Sequence, residues 1–361
     1  MVPVWHRRRR SRSIAHTSPA LSVRSSFVIA ILALSALGPV AAQDHPAPRA
    51  ALPWPAGLPV YDHVVIVIEE NKDFDQIIGS RHAPYFNAVL KAEGACFTQM
   101  FGEEHHSQGN YFWLFSGDNQ GVVFFDKVPE PGSRPDFPFR TESLGHQLLA
   151  KKLSFKGYSE DLPSIGFDGK ASKDHHYARK HVPWISFANL PNGATAVDSV
   201  NLRFSDFPTS PAGFATLPTV AFVIPNLAND MHDAPLEASI EKGDAWVKTK
   251  LDAYYQWAKG HNSLLIVTFD ESDDKSNIYG PTNPGVPDTE ANKDTRNLIP
   301  TIIAGAHLKP GNYAEGRGLN HVTILRTLEA MFGLPKSGRQ QKIAAEFGII
   351  DDQIITDIFA P

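Results

Sequence analysis

Four stretches of the chain are almost continuously apolar and rich in β-branched residues. They are His63 to Ile68, Val220 to Ile224, Leu264 to Phe269 and Ile299 to Ala304. Runs this short and this uniform predict strands buried on both faces, as in a parallel sheet. Helical spacing predicts four helices between and after them. These cover Ile77 to Gly94 with Gly94 as the stop, Ser143 to Lys152, Ile240 to Gly260 and His321 to Phe332. Strands alternating with helices give an α/β fold, a mostly parallel central sheet flanked by helices. Residues 117–140 and 272–298 read as polar loops, and no internal repeat is present.

The amino end has a different pattern. Met1 to Ser26 carries six arginines and no acid, and Phe27 to Ala42 is almost wholly apolar. Val40 and Ala42 suit the −3 and −1 positions of a cleavage site, so residues 1–42 read as a signal peptide. The apolar run is shorter than the roughly 20 residues a spanning helix needs. An exported protein, periplasmic or secreted and without a stable membrane anchor, is therefore expected. Arg7 to Arg10 leaves a twin-arginine route open beside the general one. Residues 43–60 are rich in Pro and Ala and read as a linker. Residues 61–361 read as one domain.

Composition adds two constraints. At 42% hydrophobic and 20% charged, the chain is an ordinary globular protein. The whole chain carries −5 and the leader's six arginines +6, which leaves −11 on the rest. That balance argues against tracking along a nucleic-acid backbone; any phosphate must be held locally, by a metal or a few fixed donors. With one cysteine, Cys96, no intrachain disulfide is possible.

Candidate chemistry gathers at strand ends, where open α/β sheets bind ligands. Glu70-Asn71 follows the first strand and Asp270-Glu271 follows the third. Oxygen donors from two such ends suit one divalent cation; Mg, Ca and Mn fit best, with Zn and Fe left open. Ser107 precedes an apolar helical stretch. It is either an N-cap or a nucleophile placed where helix N–H groups can hold a phosphoryl group. His232 follows the second strand and His321 opens the last helix; His181 is a weaker candidate.

Seven segments together resemble the bacterial and fungal phosphoesterase family of acid phosphatases and phospholipases C, within the alkaline-phosphatase-like fold. They are Glu70 to Asp75, Phe97-Thr98 leading to His105 to Tyr111, Gly157 to Pro163, Lys180-His181, Asn229 to Asp233, Thr268 to Glu271, and His321 to Glu329. The resemblance spans nearly all of residues 61–335. It implies that Glu70, Asn71, Ser107, Asp270 and Glu271 hold the metal, and that Ser107 is the nucleophile and passes through a phosphoserine. Asn110 would donate to the phosphoryl oxygens, while His232 and His321 would line the phosphate site and aid charge stabilisation or leaving-group protonation. The family has prolines where this chain has His106 and Gly109, so a turn around Ser107 that is looser, or shaped differently, is expected. The resemblance implies a small phosphoester substrate, with a monoester favoured over a phospholipase C or other diesterase because the chain stops soon after the His321 helix. A sulfatase would need a Cys/Ser-x-Pro-x-Arg context, which Cys96 and Ser107 lack. A non-catalytic binding protein would keep the ligands without the nucleophile.

Overall fold

The computed structural model describes residues 49–122, 126–233, 235–273, 297–314, 318–338 and 351–361. The leader at 1–42 and the centre of the 272–298 loop lie outside the described residues. Eight strands form one sheet: β1 (His63–Glu69), β2 (Ala95–Phe97), β4 (Phe155–Ser159), β5 (Asn201–Arg203), β6 (Val220–Ile224), β7 (Ser263–Phe269), β8 (Thr301–Gly305) and β9 (Gly311–Tyr313). Two more, β3 (Met100–Phe101) and β10 (Leu319–Asn320), pair separately. The α-helices are α1 (Phe74–Ile77), α2 (Lys91–Glu93), α3 (Ser107–Ser116), α4 (Leu144–Ala150), α5 (Pro211–Phe214), α6 (Leu236–Ala258) and α7 (His321–Met331).

The order across the large sheet is β5-β4-β6-β1-β7-β8-β2-β9. The first five of these strands are mutually parallel. β1, β6 and β7 are the three strongest apolar runs, and they occupy the centre with nearly every side chain buried. Each buried Val, Leu or Ile there contributes about 1.5–3 kcal/mol of hydrophobic stabilisation. β8 runs antiparallel to both neighbours, a direction the apolar pattern alone does not carry. In the β1/β7 register Glu69 lies opposite Phe269, so Glu70 and Asp270 leave the sheet side by side.

One expected helix is broken. α1 ends at Ile77, and from there to Gly94 run an irregular stretch, a wide π turn over Phe86–Leu90, and α2. Gly79 has φ +89° and Pro84 follows soon after, so the ladder cannot continue. Asn87 stitches the gap: its amide donates to the carbonyls of Ile77, Ser80 and Ala83 and its oxygen accepts from the Gly79 N–H. Nor is Gly94 a left-handed stop, since its backbone is extended. A Cβ there would lie 2.7 Å from the carbonyl oxygens of Ile303 and Leu90, which leaves room only for glycine.

Residues 49–60 lie against the domain, with Trp54 edge-on to Phe359 at 5.4 Å. The carboxyl end is tied in by charge. Arg326, fully buried on α7, donates to Asp351 at 2.9 and 2.6 Å and to Glu329 at 2.6 Å. Arg49 and Lys336 also pair with Asp351. Burial pushes the Asp351 carboxyl up, but Arg326 and Arg49 outweigh it and hold the group below its usual range. A carboxylate depressed in the folded state stabilises above its unfolded pKa of about 4 and loses that contribution as pH falls. Asp351→Asn is therefore expected to cost about 1–3 kcal/mol at pH 7. Urea unfolding at a series of pH values should show that cost shrinking below about pH 4; an undiminished cost would refute it.

Candidate active site

The site stands on the adjoining ends of β1 and β7. Glu70 N–H donates to the Asp230 carbonyl at 2.7 Å and Asp270 N–H to the Glu69 carbonyl at 3.0 Å, so both strand ends are pinned. Asn71 turns the chain with φ +43°, a conformation Asn tolerates better than most residues. Its N–H donates to Asp270 Oδ1 at 3.1 Å and its amide to Glu271 Oε1 at 3.3 Å. His105 Nδ1 lies 2.9 Å from the other Glu271 oxygen.

Ser107 is the first residue of α3, and every residue of that ten-residue helix is buried. Its hydroxyl donates to Glu70 Oε2 at 2.9 Å. One turn on, the Tyr111 hydroxyl donates to Glu70 Oε1. The His181 ring stacks on Tyr111, centroids 5.0 Å apart, and puts Nε2 3.2 Å from Glu70 Oε1. The structure thus brings Glu70, Asn71, Ser107, Asp270 and Glu271 to one place. Tyr111, Lys180 and His181 stand beside them. All three occur in the motifs quoted above, but a buried stacking contact has no sequence signature that would single them out.

Of the two expectations for the turn before Ser107, the structure has the second: it is tightly built and differently shaped, not loose. His106 has φ +79°, which a proline ring cannot adopt. A Cβ on Gly109 would lie 2.3 Å from Glu104 Oε1. That oxygen accepts from Trp113 Nε1 and Asn119 Nδ2, both at 2.9 Å, so it has little freedom to move away. This chain's departures from the family prolines therefore follow from its own backbone path.

Asn110 has work other than the expected donation to phosphate. Its oxygen accepts from the N–H groups of Glu103 and Glu104, and its amide donates to the Glu104 carbonyl at 2.6 Å. His321 is likewise engaged at both nitrogens, with Glu103 Oε2 at 2.5 Å and the Phe269 carbonyl at 2.8 Å. It thereby steadies the strand end that delivers Asp270. His232 sits at the rim, partly exposed, with Nδ1 bound to Asp233.

Buried negative charge dominates the electrostatics. Burial, then repulsion from Asp270, raises the Glu70 carboxyl well above its usual range. Burial and Glu271 do the same to Asp270, and burial and Glu70 to Asp230. His181 is pushed well below its ordinary value by burial and by Lys180. Asp270 Oδ2 and Asn71 Oδ1 have no hydrogen-bond partner. Unpartnered oxygens of this kind are the donor type that a divalent cation with oxygen ligands takes. Among the described residues no three His, Cys, Asp or Glu side chains form a ready cation cage. A cation here would need the neutral oxygens of Asn71 and Ser107 as well.

At Gly109, an added methyl must collide with the held Glu104 carboxylate. Gly109→Ala is expected to cost about 1–3 kcal/mol and to lower the thermal midpoint. A midpoint equal to that of the unsubstituted protein would show that Glu104 can yield.

Residues 80–335 match the Phosphoesterase family. Over 315 residues the chain is 41% identical to a phosphatidylinositol-3-phosphatase of Mycobacterium tuberculosis, covering 87% of this chain and 90% of that one. It is 27% identical to a phosphate-repressible acid phosphatase of Penicillium chrysogenum, covering 77% of this chain and 61% of the fungal protein. In fold it is similar to a protein of the alkaline phosphatase superfamily from Vibrio parahaemolyticus, with a TM-score of 0.50 at 13% identity over 84% of this chain and 71% of that one. The chain belongs to the Phosphoesterase family and is a hydrolase acting on phosphoester bonds.

Proposed function

We propose that the chain is an exported, metal-dependent phosphomonoesterase that attacks its substrate with Ser107. The observation that carries this reading is the Ser107 hydroxyl, presented at the amino end of α3 and bonded to Glu70. Export rests on the leader pattern of residues 1–42. Monoester preference is supported by the phosphatase names of the relatives.

Glu70, Asn71, Ser107, Asp270 and Glu271 would hold one divalent cation, which supplies charge to lower the Ser107 pKa and to offset charge on the transferring group. Glu70 orients the hydroxyl that attacks phosphorus. The amino end of α3 offers N–H groups to the phosphoryl oxygens. His232 would serve as the acid for the leaving oxygen. With Nδ1 bound to Asp233, Nε2 would be the atom that transfers the proton. Water then cleaves the phosphoserine. In this reading Asn110 shapes the loop under Ser107, and His321 positions the end of β7.

A narrower reading is favoured by one comparison. The mycobacterial relative matches over nine-tenths of its length, so an inositol-lipid monophosphate is the first physiological substrate class to assay.

Ser107→Ala should lower turnover of an aryl phosphate on the order of 10³-fold or more with the circular-dichroism spectrum unchanged. Near-normal turnover would remove Ser107 as nucleophile. Asp270→Asn should lower the metal-to-protein ratio measured by elemental analysis; an unchanged ratio would count against Asp270 as a ligand.

A further inference from the structure

Asp126 lies in the polar loop between α3 and α4 and has no part in the reading above. Its Oδ1 accepts from the Gln108 N–H at 3.1 Å, and its Oδ2 takes Lys180 Nζ at 2.9 Å. Gln108 is the residue after Ser107, so that N–H is one of the free donors in the first turn of α3. Lys180 is the cation that acts on Glu70, Asp270 and Asp230 together. A helix N–H and an ammonium converging on one anion are what a phosphoryl group beside Ser107 would need.

The position adjoins the buried cluster around Ser107. There Asp270 Oδ2, on a side chain almost wholly buried, has no hydrogen-bond partner. Asp126 itself is partly exposed, its side chain 31% so, and its carboxylate can be rehydrated when displaced. Nor is it the loop's only tie. Arg179 donates to the Pro129 carbonyl, and Lys170 pairs with Glu130 at 2.9 Å.

We propose that Asp126 is an internal stand-in for the phosphoryl group. Its carboxylate holds the anion position at the amino end of α3, and Gln108 N–H and Lys180 pass from it to a phosphoryl oxygen when substrate binds. This rests on the phosphoesterase reading of the site. Asp126 is then a positioning residue. It keeps Lys180 aimed at the site when no phosphate is bound, and it weakens retention of the phosphate product by competing for the same two donors.

The test uses the full chain with Asp126→Ala and Asp126→Asn, each alone and combined with Lys180→Met. Inorganic phosphate is the probe, followed by calorimetry and by inhibition of aryl phosphate turnover. Both single variants should bind phosphate about tenfold more tightly, with KM falling in proportion and kcat changing less. Adding Lys180→Met should abolish the gain. Unchanged or weaker phosphate binding in the folded variants overturns the proposal, as does a wild-type protein that binds no phosphate. The Asn variant keeps the side chain's shape and an acceptor for Gln108, so it decides the matter if the Ala variant fails to fold. Calorimetric binding needs no turnover. An active Ser107→Ala protein would therefore sink the nucleophile assignment while leaving the Asp126 result readable.

Discussion

Carboxylates at the adjoining ends of β1 and β7 are the constraint around which the rest of the molecule is arranged. Glu70 and Asp270 are drawn out of water and set side by side by strand register. Both burial and mutual repulsion work against their charge. Such a cluster persists only because a large apolar sheet carries it and because donors surround it. Ser107 and Tyr111 donate to Glu70, and the Asn71 backbone donates to Asp270. In the proposed reading the same arrangement would receive a cation and the phosphoryl group.

Around that cluster, polar side chains serve as braces. Glu103 bonds His321 and the Val322 N–H at the start of α7. Glu104 ties Trp113 to Asn119. Asn110 and Asn297 both donate to the Glu104 carbonyl, and Asn297 also accepts from the Ser272 N–H. The turn that carries Ser107 is thus fastened to both α3 and the segment after β7. If Ser107 is the proposed nucleophile, a frame of this kind would hold it to the tolerance that phosphoryl transfer requires.

Much of this was legible from residue pattern. The three central strands read as apolar runs because a strand covered on both faces has no polar side to show. The acids at their ends stood out because two such polar pairs, Glu70-Asn71 and Asp270-Glu271, follow two of the strands. The Ile77–Gly94 helix failed because Asn87 offered the backbone an alternative set of bonds, a competition that spacing does not register. Short strands such as β2, β5 and β9 were too brief to form a pattern.

Site roles divided along the same line. Sequence by itself determined the fold class, the order of the polar clusters and the presence of a serine among them, since those depend on residue type along the chain. Only the tertiary structure decided that Asn110 and His321 are engaged as braces. It alone set His181 against Tyr111 and Glu70, and Asp126 on the first turn of α3 with Lys180. The reason is physical: a side chain's task follows from which partners reach its polar atoms first. In this chain those partners range from six or seven residues away, as for Asn110, to more than two hundred, as for His321 and Glu103.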